Sequence, residues 1–421
     1  MKRKVLSLLT AMALTVSALA GCGSSDSESA GDAKTEEAAE TEEGEESAKS
    51  DASGLKAGFI FLHDENSTYD LNFLNAAKEA CEKLGVEYVL KTNIPEGQEC
   101  YEAACELADA GCDFIFADSF GHEDYMIEAA KEYPDVQFSH ATGTKAHTEN
   151  LDNFHNAFAA IYEGRYLAGV AAGLKLNELK ANGQLKGEKP LMGYVGAFTY
   201  AEVISGYTSF YLGAKSVCPD VEMKVQFTGS WYDYNEEKNA ATALIAANCD
   251  LISQHADSMG APTACENAGI PNVSYNGSTI ESCPNTFIVS SRINWAPYFE
   301  YMVSQVLAGE PIATDWTGDI STGSVVLTDV NEQVAAANTV ESIAAAKDAL
   351  VAGQLQVFDT ATFTVNGGEV LTSHMADVDT DEAYTPDTEV IEGGIFKESY
   401  FRSAPYFDLE IDGITRLDVA F

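Results

Sequence analysis

From residue 55 onward, short apolar runs of strand length alternate with longer stretches whose apolar residues recur every three to four positions. The first run, 55–62, leads into the polar loop 63–70. Residues 72–84 follow, with Phe73, Ala76, Ala77, Ala80 and Leu84 at helical spacing and Gly85 as the stop. Strands are predicted at 86–90, 114–117 and 136–139, with helices at 96–110 and 124–133 between and after them. Residues 155–174, HNAFAAIYEGRYLAGVAAGL, read as one helix whose small residues permit close packing, and a lobe boundary is placed just before it.

The scheme then repeats. Strands are expected at 191–198, 221–228, 251–254, 273–276 and 286–290, with helices at 201–216, from Asn235, at 261–268 and at 298–307. Residues 315–326 read as a strand crossing between lobes and 340–350 as a helix. Beyond 357 the composition turns to Asp, Glu, Thr and Gly, with a hairpin-like Val-Asn-Gly-Gly at 365–368. Strands alternating with helices predict parallel, doubly wound sheets with right-handed crossovers. The expected organisation is a first lobe of residues 54–153 plus about 290–325 and a second of 154–289 plus about 326–421.

The amino-terminal pattern differs. Lys2, Arg3 and Lys4 precede an apolar run too short to span a bilayer, which ends in Leu19-Ala20-Gly21-Cys22. This is an export signal (residues 1–22), and its last four residues resemble the lipobox of bacterial lipoproteins, which would make Cys22 the lipidated first residue of the mature chain. Residues 23–53 are Ser, Ala, Gly, Glu and Asp without an aromatic residue. They form an acidic tether that cannot bury enough surface to offset its ordering entropy. The expectation is a protein held at the membrane by lipid.

Charge narrows the partners. A net charge of -42 with 24 basic residues leaves no basic face for phosphate backbones, so nucleic acid is not expected as a partner. Of nine cysteines, the eight after Cys22 show no Cys-X-X-Cys or Cys/His ligand spacing, and no metal or cofactor is expected. Cys81, Cys105 and Cys249 read as small buried hydrophobes, with disulfides left open. No nucleophile elbow, metal-binding Asp cluster or Gly-rich phosphate loop marks an enzyme.

In open α/β sheets, ligands sit outside the carboxyl ends of the strands. Such ends here carry Tyr69, Phe198, Trp231, Tyr232 and Trp295, which can stack on a flat ring. They also carry Asp70, Asn72, Asp118, Ser119, Asp257, Asn276 and Asn294, which can pair with its polar edge or a ribose. Alternatives stand beside several of these. Trp231 and Tyr232 would also serve as a surface pair over a helix, Phe198 as a core residue, Asp257 as the cap of the helix near Gly260, and His255 as a structural histidine.

Four segments, NFHNAFAAIYEGRYLAGVAAG, GYVGAF, GSWYDYNEEKNAATALIAANCDLISQHADS and SSRINWAPYFEYMVSQVLAGE, occur in this order between about residues 55 and 329. As an ordered set they resemble the basic-membrane-protein family of ABC-transporter substrate-binding lipoproteins. The resemblance implies a type I periplasmic-binding-protein fold, with two doubly wound α/β lobes joined by a hinge the chain crosses three times. It also implies an ABC permease as partner and a purine nucleoside or purine base as ligand. Tyr69, Asp70 and Asn72 approximate the family's first-loop pair, Phe198 its base-stacking position, and Asn294 stands where the family has a lysine. Trp231-Tyr232-Asp233 and Asn294-Trp295 resemble the branch that handles bases. Two other functions remain comparable at this stage: a sensory or adhesion lipoprotein without a permease, and a nucleoside-processing enzyme.

Overall fold

The computed structural model describes residues 54–379 and 386–420. The export signal, the tether and Cys22 lie outside them. Strand and helix alternate from β1 (Lys56–Ile60), α1 (Thr68–Leu84) and β2 (Glu87–Lys91) through α2 (Gln98–Asp109) and β3 (Phe114–Ala117). After α3 (Glu123–Glu132) come β4 (Gln137–Ala141), a single turn α4 (Ala146–Glu149), β5 (Phe154–Ala159) and the long α5 (Ile161–Ala181). The second series is β6 (Leu191–Gly196), α6 (Ala201–Val217), β7 (Glu222–Phe227), α7 (Tyr234–Ala246), β8 (Leu251–His255), α8 (Gly260–Ala268), β9 (Asn272–Tyr275) and β10 (Phe287–Ile293). α9 (Ala296–Ala308), β11 (Asp315–Gly318), β12 (Val325–Leu327) and α10 (Thr339–Val351) follow.

Two sheets result. The first has the order β11-β5-β4-β3-β1-β2 and is parallel throughout. The second runs β12-β10-β9-β8-β6-β7 and ends in a strand from near the carboxyl terminus, Ile414–Arg416. It is parallel except where β12 meets β10. The chain passes between the sheets three times: after β5, after β10 and between β11 and β12. This is the type I periplasmic-binding-protein architecture.

Several expectations change in detail. Residues 154–159 are a strand of the first sheet, pairing with β4 and β11, and only from Ile161 does the chain become helical. Every residue of β5 is buried, and its alanines pack as well in a two-sided strand as in a helix, so apolar pattern could not separate the two. The first crossing therefore falls near residue 160. Residues 290–293 finish a strand of the second sheet, and 315–326 is two strands in different sheets separated by the Asp319 turn. In α5 and α6 the small residues do allow close approach: a Cβ on Gly169 would come within 2.0 Å of the Phe210 carbonyl oxygen, and one on Gly213 within 2.0 Å of that of Tyr166.

All eight cysteines of the described residues are unpaired; seven are buried, and Cys105 is half-exposed rather than buried. No helix among the described residues is long and apolar enough to cross a membrane.

Candidate functional site

The carboxyl ends of β1, β3, β4, β7, β8 and β9 converge on one cleft between the two sheets. Its first-sheet wall carries Leu62, His63, Tyr69, Asp70, Ser119, Phe120 and Thr142. The facing wall carries Glu202, Trp231, His255, Asp257 and Tyr275. The walls touch: the Thr68 amide donates to the Asp257 carbonyl at 3.1 Å, the Phe120 and Tyr200 rings lie 5.4 Å apart, and those of His63 and Tyr232 5.3 Å.

Local structure aims these groups. Ser67 caps α1, accepting from the Asp70 amide at 3.2 Å, and so presents the first turn of the helix to the cleft. The Asp70 carboxylate accepts from the His63 amide at 2.7 Å and from the Ser67 hydroxyl. Burial alone would raise its pKa, but the His63 ring, 3.4 Å away, together with these hydrogen bonds outweighs it and holds the group below the usual carboxylate range. Tyr69 donates its hydroxyl to the Asp118 carbonyl at 2.8 Å. Thr142 has a left-handed backbone, φ 64°, an uncommon conformation for a β-branched residue.

The aromatic side of the second wall is a three-ring cluster. Phe198 and Tyr200, on the loop after β6, stack at 5.1 Å and 17°. The Trp231 indole, on the loop after β7, meets Phe198 edge-on at 5.2 Å and lies 6.1 Å from Tyr200. Phe198 is thus the support of Trp231 and not a lining residue.

The polar side is acidic. Asp257 accepts from the Asn276 side-chain amide at 3.2 Å, and Ser258, not Asp257, receives the first amide of α8, from Gly260 at 3.0 Å. Burial, then the nearby carboxylates Glu237 and Asp70, pushes Asp257 well above the usual carboxylate range. Asp118, fully buried behind the cleft, is raised likewise by burial and by Asp70. One of its oxygens accepts from the Leu62 amide, and the other has no partner. His255 approaches Glu202 at 3.3 Å, and burial lowers its pKa against the opposing pull of that carboxylate.

The floor holds what pattern reading missed. Tyr275 is 2 % exposed and its hydroxyl has no hydrogen-bond partner among the described residues. Its ring lies 4.8 Å from the guanidinium of Arg165, a fully buried cation on α5 held by the Tyr194 hydroxyl and the Gln254 carbonyl. Glu202, Tyr275, His63 and Thr142 were also absent from the sequence-based set. For Tyr275 a signal existed, since it ends β9 beside Asn276.

Of the twelve residues singled out from sequence, Tyr69, Asp70, Ser119, Trp231 and Asp257 line the cleft, and Asp118, Phe198 and Tyr232 stand behind it or at its mouth. Asn72, Asn276 and Asn294 line a different polar cleft beside α1, with Arg292. Trp295 is a correction. It is 1 % exposed and stacks on Phe73 at 4.5 Å and 24°, within the aromatic core of the first lobe, because α9 folds back against α1. It cannot reach a ligand in the cleft.

Two α/β lobes, three crossings and a cleft at the strand ends define a solute-binding protein of the type I fold. The chain belongs to the Bmp family, ABC transporter substrate-binding proteins that are PnrA-like, whose model matches residues 57–354. That family works outside the cytoplasm and consists of binding proteins, not enzymes. A purine-binding protein of Brucella abortus is 37% identical over 260 residues, covering 61% of this chain and 69% of the relative. A putative ABC transporter glucose-binding protein of Haloferax volcanii is 28% identical, covering 76% and 75%. An ABC transporter nucleoside-binding protein of Lactococcus lactis is 28% identical, covering 62% and 67%. Among solved structures, an ABC transporter solute-binding protein of Aeropyrum pernix superposes with a TM-score of 0.61 at 17% identity, over 78% of this chain and 95% of that one. One from Conexibacter woesei does so with 0.59 at 19%, over 72% and 98%. These two show the fold.

Proposed function

We propose that the protein is a lipid-anchored receptor that captures a purine base or purine nucleoside between its lobes and delivers it to an ABC permease. One observation carries the reading: the cleft combines the Trp231 indole with the carboxyls of Asp257, Glu202 and Asp70, and among the described residues no Lys or Arg lines it. Such a site accepts hydrogen bonds from amino and ring N–H groups and repels phosphate, so it suits an uncharged, donor-rich aromatic ring. The unpartnered Tyr275 hydroxyl adds a donor for a ring nitrogen or carbonyl oxygen. The names of the Brucella and Lactococcus relatives point the same way.

A ligand touching both walls at once favours the closed form by the contacts it makes only there, and the Thr68 to Asp257 bond is one link between the walls in that form. The permease would read the closed form. Anchoring rests on Leu19-Ala20-Gly21-Cys22, and Cys22→Ala is expected to move the protein from the membrane fraction to the soluble fraction.

A monosaccharide is the second reading, favoured by the name of the Haloferax relative. A thermal-shift panel of adenine, guanine, their nucleosides, glucose and amino acids separates the two, since a ligand that binds only the native state raises the Tm. Stabilisation by a purine is expected. Stabilisation by glucose alone would remove the purine assignment and leave the receptor.

A further inference from the structure

Residues beyond 354 lie outside the match to the family model, and their last described stretch makes specific contacts at the cleft's aromatic wall. Ile414–Arg416 adds an edge strand to β7, and the Leu417 amide continues the ladder by donating to the Val225 carbonyl at 2.8 Å. The chain then turns toward the strand ends. The Asp418 carboxylate accepts from the amide of Phe227, the last residue of β7, at 2.8 Å. Ala420 closes a two-way pair with Thr199: the Thr199 amide donates to the Ala420 carbonyl at 2.6 Å, and the Ala420 amide donates to the Thr199 hydroxyl at 2.9 Å.

These contacts fall on the two loops that hold the ring cluster. Thr199 lies between Phe198 and Tyr200, whose rings support Trp231, and Phe227 begins the segment that carries Trp231 itself. Thr199 is buried, so its amide needs a partner, and among the described residues the tail supplies it. A loop with that amide released would regain conformational entropy and spread its rings over several positions.

We propose that residues 417–420 act as a positioning strap: they fix the Phe198–Tyr200 loop and the β7 end, and thereby hold Trp231 where a flat ligand ring can stack on it. Asp418 and Ala420 touch no ligand and work through the wall. The inference rests on the purine reading only for its affinity readout.

Two measurements test it. Calorimetric titration with adenine and with guanine should show Asp418→Ala binding about threefold to tenfold more weakly, the worth of one hydrogen bond. Asp418→Asn, whose amide oxygen still accepts from Phe227, should restore wild-type affinity. A chain ending at Arg416 should lose more than Asp418→Ala does. The second measurement needs no ligand: the emission due to Trp231, taken as the difference from Trp231→Phe, should shift to the red and become more open to acrylamide when the tail is removed. Wild-type affinity together with unchanged Trp231 emission in the shortened chain would overturn the strap. A wild-type protein that binds neither purine, but whose Trp231 emission still depends on the tail, would overturn the ligand reading and leave the strap standing.

Discussion

Trp231 and Trp295 are one residue type with opposite fates. Trp231 lines the cleft with its ring held by Phe198, whereas Trp295 is sealed against Phe73. Trp231→Ala should weaken purine binding by roughly one to two orders of magnitude, given about 1–3 kcal/mol for a base stacked on an aromatic ring, with a melting temperature close to wild type. Trp295→Ala should do the reverse and cost about 3–5 kcal/mol of stability by opening a cavity in the first lobe, read by denaturant unfolding. Tyr275 makes a sharper case. Its hydroxyl is buried without a partner, so Tyr275→Phe should leave the ligand-free Tm unchanged or raised while adenine affinity falls about tenfold in calorimetry. Equal affinity in the variant would mean that the hydroxyl meets no ligand atom. Asp257 and Trp231 were legible as strand-end residues because they lie two and four residues past the ends of β8 and β7. Tyr275 carried the same strand-end signal beside Asn276, but an aromatic ending a buried strand reads first as core; Glu202 carried none, since an acid in the first turn of a helix reads first as a favourable end charge.

Element boundaries were legible wherever period and punctuation agreed. α1 stops at Gly85 and α8 at Gly269, both in left-handed conformation, and the strands between them were bounded by turn residues. β5 was not, because a two-sided buried strand of Phe, His, Asn and Ala carries no alternation. The segment after residue 357 gave no period at all, yet it packs closely. Phe358 stacks on Phe407 at 4.3 Å, and the Ser205 hydroxyl of α6 donates to the buried carboxyl of Glu398. Burial pushes Glu398 up to about 7 from an ordinary 4.5. The folded state therefore keeps a proton that the unfolded chain releases above about 4.5, so this group's contribution is full at low pH and is lost as pH rises through about 7. Glu398→Gln, which mimics the protonated form, should show a Tm that gains on wild type as pH is raised from 4.5 to 8. A constant difference across that range would mean that Glu398 is ionised in the native protein.

At the scale of the molecule, the segment beyond the family match also spans the lobes. Glu398 is bonded to α6 of the second lobe, while the Ser403 amide and hydroxyl both donate to Asp315 on β11 of the first, each at 2.8 Å. Composition showed an acidic chain and a core large enough for two lobes, and alternation showed parallel sheets. Neither showed that these residues return to both lobes, since the contacts join positions 193 and 88 residues apart. The central claim, that the cleft takes a purine ring on Trp231, is tested most directly by calorimetric titration of the wild-type protein and Trp231→Ala with adenine, guanine, adenosine and glucose. Saturable binding of a purine by the wild type, weakened at least tenfold in the variant, is the predicted result. Binding of glucose alone, or purine binding that Trp231→Ala leaves unchanged, would contradict it.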